Sequence, residues 1–392
     1  MDLTLIVVLV IALALFFDFT NGFHDTANAM ATPIATGALR PKVAVGLAAI
    51  LNLIGAFLST EVAKTISGGI IREGEGGIAI GPELIFAGLI GAIVWNMLTW
   101  LLGLPSSSSH ALFGGLIGAA LVGAGVGAID FGVVLSKVIL PALLAPLTAG
   151  LVAYAATKLA YAITRRYDGK PDGRSGFRYA QIFSSSLVAL SHGTNDAQKT
   201  MGVITLTLIA VGMQDAGTAP QLWVVVVCAI AIALGTYMGG WRIIKTLGTG
   251  LTDVKPAQGF AAETSTAATI LASSHLGFAL STTQVASGSV IGSGLGRRGS
   301  KVRWRTAGRI GIGWLMTLPA AAAVGALAAL VAHLGVVGVL IDAVVGVAII
   351  LTIFIISKRN EISHRTVVSD VAHSGRAVKI KRNPKPKRKA RS

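Results

Sequence analysis

The sequence predicts an all-α integral membrane protein of two inverted-topology repeats, with broken or re-entrant helices and roughly 10–12 transmembrane segments. Three observations carry that prediction. The chain has long uncharged apolar runs, a set of motifs that occurs twice in the same order, and loop charges that oppose one another between the two copies.

The apolar runs come first. Of 392 residues, 53% are hydrophobic and 13% charged; a soluble domain carries about 25% charged residues. Mean hydropathy is +0.73. Residues 3–17, 43–60, 84–109 and 222–241 contain no charge, and 336–357 is interrupted only by Asp342. Several of these runs approach the ~20 residues that span a bilayer as helix. The 48 glycines suit helices whose backbones approach closely in a membrane. The first run reads as a spanning helix rather than a cleaved leader, because Asp2 makes its start acidic and no A-x-A site follows Phe17. The single cysteine, Cys228, allows no intramolecular disulfide and no cysteine metal site. Residues 358–392 hold twelve Lys/Arg against Glu361 and Asp370, a net +10 of the total +16. This is expected to be a disordered, solvated cytoplasmic tail next to the lipid bilayer, with no nucleic-acid partner.

The duplication comes next. Residues 82–118 align without gaps on 256–292, with nine of 37 positions identical, Pro82/Pro256, Gly103/Gly277, Ser107/Ser281 and Gly118/Gly292 among them. Upstream, GFHDTANAM (22–30) matches GTNDAQKTM (193–201). Downstream, Pro146 matches Pro319, and between them Lys64-Thr65 matches Lys245-Thr246.

Loop charge then sets the handedness of the repeat. Residues 119–130 have no basic residue, while their partner 296–309 has six. Arg40 and Lys42 flank Pro41, while the partner 212–220 has none. The segment 61–80 carries Lys64 and Arg72 against Glu61, Glu73 and Glu75, and its partner 240–255 carries Arg242, Lys245 and Lys255 against Asp253. Cytoplasmic loops are enriched in Lys/Arg, so each loop and its copy fall on opposite sides. The expected organisation is a first repeat at 1–163, a basic cytoplasmic loop at 164–178, a second repeat at 179–333, an extra helix at 336–357 and the tail. The N-terminus is expected outside and the C-terminus in the cytoplasm, in a plasma membrane. Oligomeric state is left open.

Two polar clusters interrupt the apolar runs, one pair in each copy. Ionisable groups deep in a bilayer cost roughly 2.5–3.5 kcal/mol each and are functional candidates by default. The first pair is DFTNGFHDTAN (18–28) and SHGTNDAQK (191–199), each with a glycine three residues before an aspartate, Gly22/Asp25 and Gly193/Asp196. A helix broken there would offer backbone groups beside a carboxylate, as a cation site or ion-coupled gate. The second pair is GLPSSSSH (103–110) and GFALSTTQ (277–284). Ser107, Ser108 and Ser109 align with Ser281, Thr282 and Thr283. At a helix start these hydroxyls and the free first-turn amides suit a tetrahedral oxyanion; a cap alone needs one hydroxyl.

These motifs resemble the inorganic phosphate transporter (PiT) family, in its bacterial low-affinity form. That family pairs a G-x-N-D-x-x-N type motif in each half with a P-x-S-x-[ST]-[HQ] type motif after a short apolar helix. Gly22 to Asn28, Gly193 to Lys199, Pro105 to His110 and Ala279 to Gln284 stand at these places, with Ala279 replacing the usual proline. The resemblance covers about residues 15–357. It implies a symporter of inorganic phosphate with a cation, not an enzyme, with no cofactor. Carried over, Asp25, Asn28 and Asp196 become cation candidates, joined by His24 and Asn195. Ser107, Ser108, Ser109, Ser281, Thr282 and Thr283 become phosphate candidates, joined by Lys199. His24 stands where many members have Asn, and Lys199 where sodium-coupled members have Asn. That pattern favours a proton as coupling ion, and free phosphate or a metal–phosphate complex as cargo.

Rival readings are a sulfate or other oxyanion permease, a channel, and an intramembrane serine protease built on the serines beside His110. No G-x-S-x-G is present, and duplication of the serine segment favours symmetric binding over one nucleophile. No G-x-x-x-x-G-K-[ST] is present for nucleotide-driven transport. His24, His110, His192 and His275 can hold a divalent ion transiently, but no structural metal site is expected.

Overall fold

The computed structural model describes residues 2–69, 80–165 and 175–359, and all regular structure among them is helical. In order these are α1 (Asp2–Ala35), α2 (Pro41–Gly55), α3 (Glu61–Gly69), α4 (Pro82–Leu101), α5 (Ser108–Gly123), α6 (Phe131–Val133), α7 (Leu140–Arg165), α8 (Ser175–Ala210), α9 (Leu222–Met238), α10 (Trp241–Lys245), α11 (Pro256–His275), α12 (Thr282–Gly296), α13 (Trp304–Ala332) and α14 (Val336–Arg359). A π-helical segment joins α6 to α7, and another follows α10.

The packing repeats under exchange of the two copies. α5 packs on α13 as α12 packs on α7, α1 on α9 as α8 on α2, α4 on α1 as α11 on α8, and α10 on α1 as α3 on α8. The copies are therefore intertwined, since each terminal helix completes the other copy. α14 lies outside this scheme, against α4 and α13.

Glycines make the interlock possible, and they come in matched pairs. A Cβ at Gly22 would collide with the Ile232 carbonyl, and one at Gly193 with the Asn52 carbonyl. Gly118 abuts the Ala322 carbonyl as Gly292 abuts that of Gly150. Small residues let membrane helices pack backbone to backbone.

This corrects one expectation. The helices are not broken at the aspartate motifs. α1 and α8 run straight through them. Gly22 and Gly193 serve close packing, and His24, Asp25, Asn28 and Asp196 find side-chain partners inside the bundle without the helix opening. The breaks lie elsewhere. α4 ends at Gly103 (φ +63) and α11 at Gly277 (φ +69), in the left-handed conformation glycine adopts most easily. Leu104 N–H returns to the Thr99 carbonyl and Phe278 N–H to that of Ser273, both at 2.9 Å, closing a glycine C-cap motif. A short extended turn follows, and α5 or α12 begins. α9 and the α10 segment are bent by 59° about Gly239.

Among the described residues, five helices are long and apolar enough to cross a membrane, or six counting the bent pair. This is fewer than the roughly 10–12 expected. α2 and α5 are apolar but short, and α8 carries a polar motif at mid-length. Helix bounds differ from expectation by a few residues: α8 begins at Ser175 rather than 179, and α14 runs to Arg359 rather than 357. Most of the expected basic loop (166–174), Glu73, Glu75 and the tail from 360 lie outside the described residues.

Candidate functional site

The starts of α5 and α12 meet at the centre of the bundle, beside the aspartate motifs of α1 and α8. Ser107 and Ser281 are the N-caps: their hydroxyls accept from His110 N–H (3.1 Å) and Gln284 N–H (3.3 Å). At these two positions the capping role is realised. Ser109 Oγ donates to the Leu280 carbonyl (2.9 Å), tying one turn to the other. His110 and Gln284 hold corresponding places, and Gln284 Nε2 lies 3.5 Å from His110 Nδ1.

The remaining hydroxyls point at carboxylates. Ser108 Oγ donates to Asp25 Oδ2 (3.0 Å) and Thr283 Oγ1 to Asp25 Oδ1 (3.2 Å). Thr282 Oγ1 donates to Asp196 Oδ2 (3.0 Å), with Asp25 Oδ2 further off at 3.4 Å. Asn28 Nδ2 donates to both threonine hydroxyls, at 3.2 and 3.0 Å. Lys199, one turn after Asp196, pairs with Asp196 Oδ1. Asp25, Asp196, His24, His192 and Lys199 are all buried. Asn195, also buried, is the one cation candidate that stands apart from the carboxylates. Its amide donates to Ser274 Oγ (3.0 Å) and the Phe278 carbonyl (3.3 Å), so it braces the α11–α12 turn and reaches neither carboxylate.

Two histidines complete the site, and their hydrogen-bond chains fix what each ring must do. Thr236 Oγ1 donates to the Ile232 carbonyl (2.8 Å), so it accepts from Asn52 Nδ2 (2.7 Å). Asn52 therefore presents its oxygen to His192 Nδ1 (3.2 Å), which donates. His192 Nε2 then faces Asp196 Oδ2 at 2.8 Å and Asp25 Oδ2 at 3.8 Å. His24 repeats the pattern. Thr99 donates to backbone carbonyls, so Ser106 donates to Thr99 (2.7 Å) and accepts from His24 Nε2 (3.3 Å). His24 Nδ1 faces Asp25 Oδ1 at 2.5 Å. Each ring thus has one nitrogen committed as donor and the other against a carboxylate. That second nitrogen is satisfied only by a proton or by a cation shared with the carboxylate. Asp25, His192 and Asp196 also bring one ligand atom each within 4.8 Å of one another, a donor set that suits a divalent ion. Sequence reading had expected no metal site of the structural kind.

Sequence reasoning named His192, whose counterpart is Asn21, only as a transient metal ligand, and passed over Glu263, whose counterpart is Leu89. Neither carries a repeat signal. Glu263 is a further buried carboxylate, between α1, α8 and α11. It accepts from Thr32, from Gln181 Nε2 (3.1 Å) and from Ser184 Oγ (2.6 Å). A lone acid inside α11 was the available clue.

A bundle of apolar helices enclosing paired carboxylates, histidines and an ammonium defines a multi-pass membrane protein that handles ions internally. The chain belongs to the phosphate transporter family, which its residues 21–325 match. A probable low-affinity inorganic phosphate transporter of Mycobacterium leprae (strain TN) is 55% identical over 366 residues, 92% of this chain and 87% of that protein. One of the same name from Bacillus subtilis (strain 168) is 41% identical, over 84% of this chain and 98% of the relative. A solved structure titled "The sodium-dependent phosphate transporter" superposes with a TM-score of 0.72 at 24% identity, covering 84% of this chain and 99% of that one; it shares the fold.

Proposed function

We propose that this protein imports inorganic phosphate across a plasma membrane together with a cation, a proton in preference to sodium, by alternating access of the two interlocked copies. The observation that carries the reading is the placement of the two histidines, each with one ring nitrogen against a carboxylate. With both rings neutral, Asp25 and Asp196 outweigh Lys199 and the site is net −1. With both rings protonated it is net +1. Two protons thus convert a site that repels an anion into one that attracts it, which is the requirement for coupling phosphate entry to a proton. Incoming phosphate takes over the donors that now serve the carboxylates, chiefly Ser108, Thr282, Thr283 and Lys199.

Lys199 argues against sodium. Its ammonium already neutralises Asp196, and two unit charges about 4 Å apart repel by about 4 kcal/mol at an effective dielectric constant of 20. A second reading, in which phosphate travels as a divalent metal complex, rests on the Asp25–His192–Asp196 donor set. The terminal orientations follow from loop charge: N-terminus outside, C-terminus in the cytoplasm. With Cys228 replaced, a cysteine at Gly125 should label from outside and one at Ser300 should not.

Uptake of labelled phosphate into proteoliposomes tests the coupling, with proton and sodium gradients imposed separately and divalent ions present or chelated. Uptake should follow the proton gradient, and His24→Gln and His192→Gln should flatten that dependence. Uptake that requires sodium and ignores a protonophore would overturn the proposal; uptake abolished by chelation would favour the metal complex. Sulfate in excess should compete poorly, and counterflow stimulation should exclude a channel.

A further inference from the structure

At one end of the bundle a cavity of about 490 Å³ opens between the α4–α5 turn, α10 with its π-helical extension, and the start of α13. Its size falls in the range of small-molecule sites, roughly 300–1,000 Å³. Four cations line it, Arg242, Lys245, Arg303 and Arg309, and among the described residues no carboxylate does. Thr246, Thr249 and Thr306 add hydroxyls. Two of the guanidinium groups are braced from behind. Arg242 donates to the Ser357 carbonyl (3.0 Å) and hydroxyl (3.1 Å) and lies 5.6 Å from the Trp100 ring centre. Arg303 donates to the Thr249 carbonyl (2.6 Å) and to Asp253 Oδ1 (3.0 Å).

An excess of basic loops on one face is a general property of membrane proteins. It asks only that the charges lie on one side. It does not ask that they converge on a concavity. The other copy shows the difference. Thr246 Oγ1 donates to the Arg242 carbonyl (3.2 Å) as Thr65 Oγ1 donates to that of Glu61 (3.2 Å), so Glu61 is the counterpart of Arg242. Arg303 precedes α13 as its N-cap where Asp130 caps α6. The same frame carries reversed charge at two places.

We propose that this cavity binds a phosphate group, as orthophosphate or as the headgroup of an anionic phospholipid, at a site separate from the central one. Arginine forks match the acceptor oxygens of phosphate, lysine supplies a point charge, and Thr306 adds a hydroxyl, while those of Thr246 and Thr249 donate to backbone carbonyls. Thr246 Oγ1 also donates to the Gly103 carbonyl (2.8 Å), which ties the cavity wall to the turn that starts α5. An occupant therefore bears directly on the segment that presents Ser108.

The test uses the full chain in nanodiscs. In zwitterionic lipid, equilibrium binding of labelled orthophosphate reads the free anion. In discs containing phosphatidylglycerol, native mass spectrometry reads retained lipid. The double variant Lys245→Gln/Arg309→Gln should weaken one binding component at least tenfold, or lose the retained lipid. The charge-keeping variant Lys245→Arg/Arg309→Lys should restore it. Loss of labelled phosphate identifies the free anion, and loss of lipid identifies the headgroup. The proposal is overturned if the Gln variant keeps both the wild-type isotherm and the retained lipid, or if the charge-keeping variant behaves like the Gln variant. Thr282→Ala serves as the control for the central site. If Thr282→Ala changes nothing while the cavity component responds to charge, the central assignment fails and this one stands.

Discussion

Asp25 and Asp196 hold equivalent positions in the two copies and keep different company. Asp25 takes hydroxyls from both helix starts, Ser108 from α5 and Thr283 from α12, and sits against His24. Asp196 takes one hydroxyl, Thr282, and is otherwise held by Lys199 and His192. One carboxylate is solvated by neutral donors and the other is neutralised by a fixed charge. A duplicated scaffold has thus been put to two electrostatic uses, and only the Asp25 side keeps a carboxylate without an ammonium beside it.

The largest effect expected from breaking that comparison is on folding. Lys199→Met leaves Asp196 buried without its counter-charge, a loss of about 3–5 kcal/mol. It should appear as a lower melting temperature and poor recovery in detergent. Asp196→Asn combined with Lys199→Met should recover most of that stability while transport stays lost. Equal stability of the single variant and wild type would mean that the ammonium does not hold Asp196.

Next come the hydroxyls. Ser108→Ala and Thr282→Ala each remove a donor to a charged acceptor, worth roughly 1.5–3 kcal/mol. Each should raise the half-saturating phosphate concentration about tenfold or more. Thr282 should matter more than Ser108, because it reaches both carboxylates. Indifference of uptake to both substitutions would sink the phosphate role of the helix starts.

The scaffold itself should respond symmetrically. Gly118→Ala and Gly292→Ala each force apart a backbone contact of the same kind, at about 1–3 kcal/mol. Thermal unfolding should show similar losses for the two. A large loss at one and none at the other would break the packing equivalence of the copies.

The smallest effect is expected at the caps. Ser107→Ala and Ser281→Ala each lose one side-chain cap, worth about 1 kcal/mol. Their melting shifts should be small and alike, with uptake affected less than in Thr282→Ala.

The apolar runs, the repeat and the order of its motifs were legible in the sequence, as were Asp25, Asp196, Lys199 and the hydroxyls of the two helix starts. Hydropathy and helix-start chemistry are local properties, and a repeat is visible wherever both copies kept a polar residue. Tertiary structure alone decided what those residues touch. It assigned Gly22 and Gly193 to packing rather than to a break, because the fit depends on the carbonyls of Ile232 and Asn52, far away in the chain. It sent Asn195 to the α11–α12 turn, and it brought α12's Thr283 to Asp25 across the copies. It also set His192 against the two carboxylates and supplied Glu263, whose counterparts Asn21 and Leu89 share neither chemistry nor charge. The reason is physical. A buried polar group is satisfied by whichever donor the packing of distant helices brings within about 3 Å, and no spacing along one chain encodes that meeting.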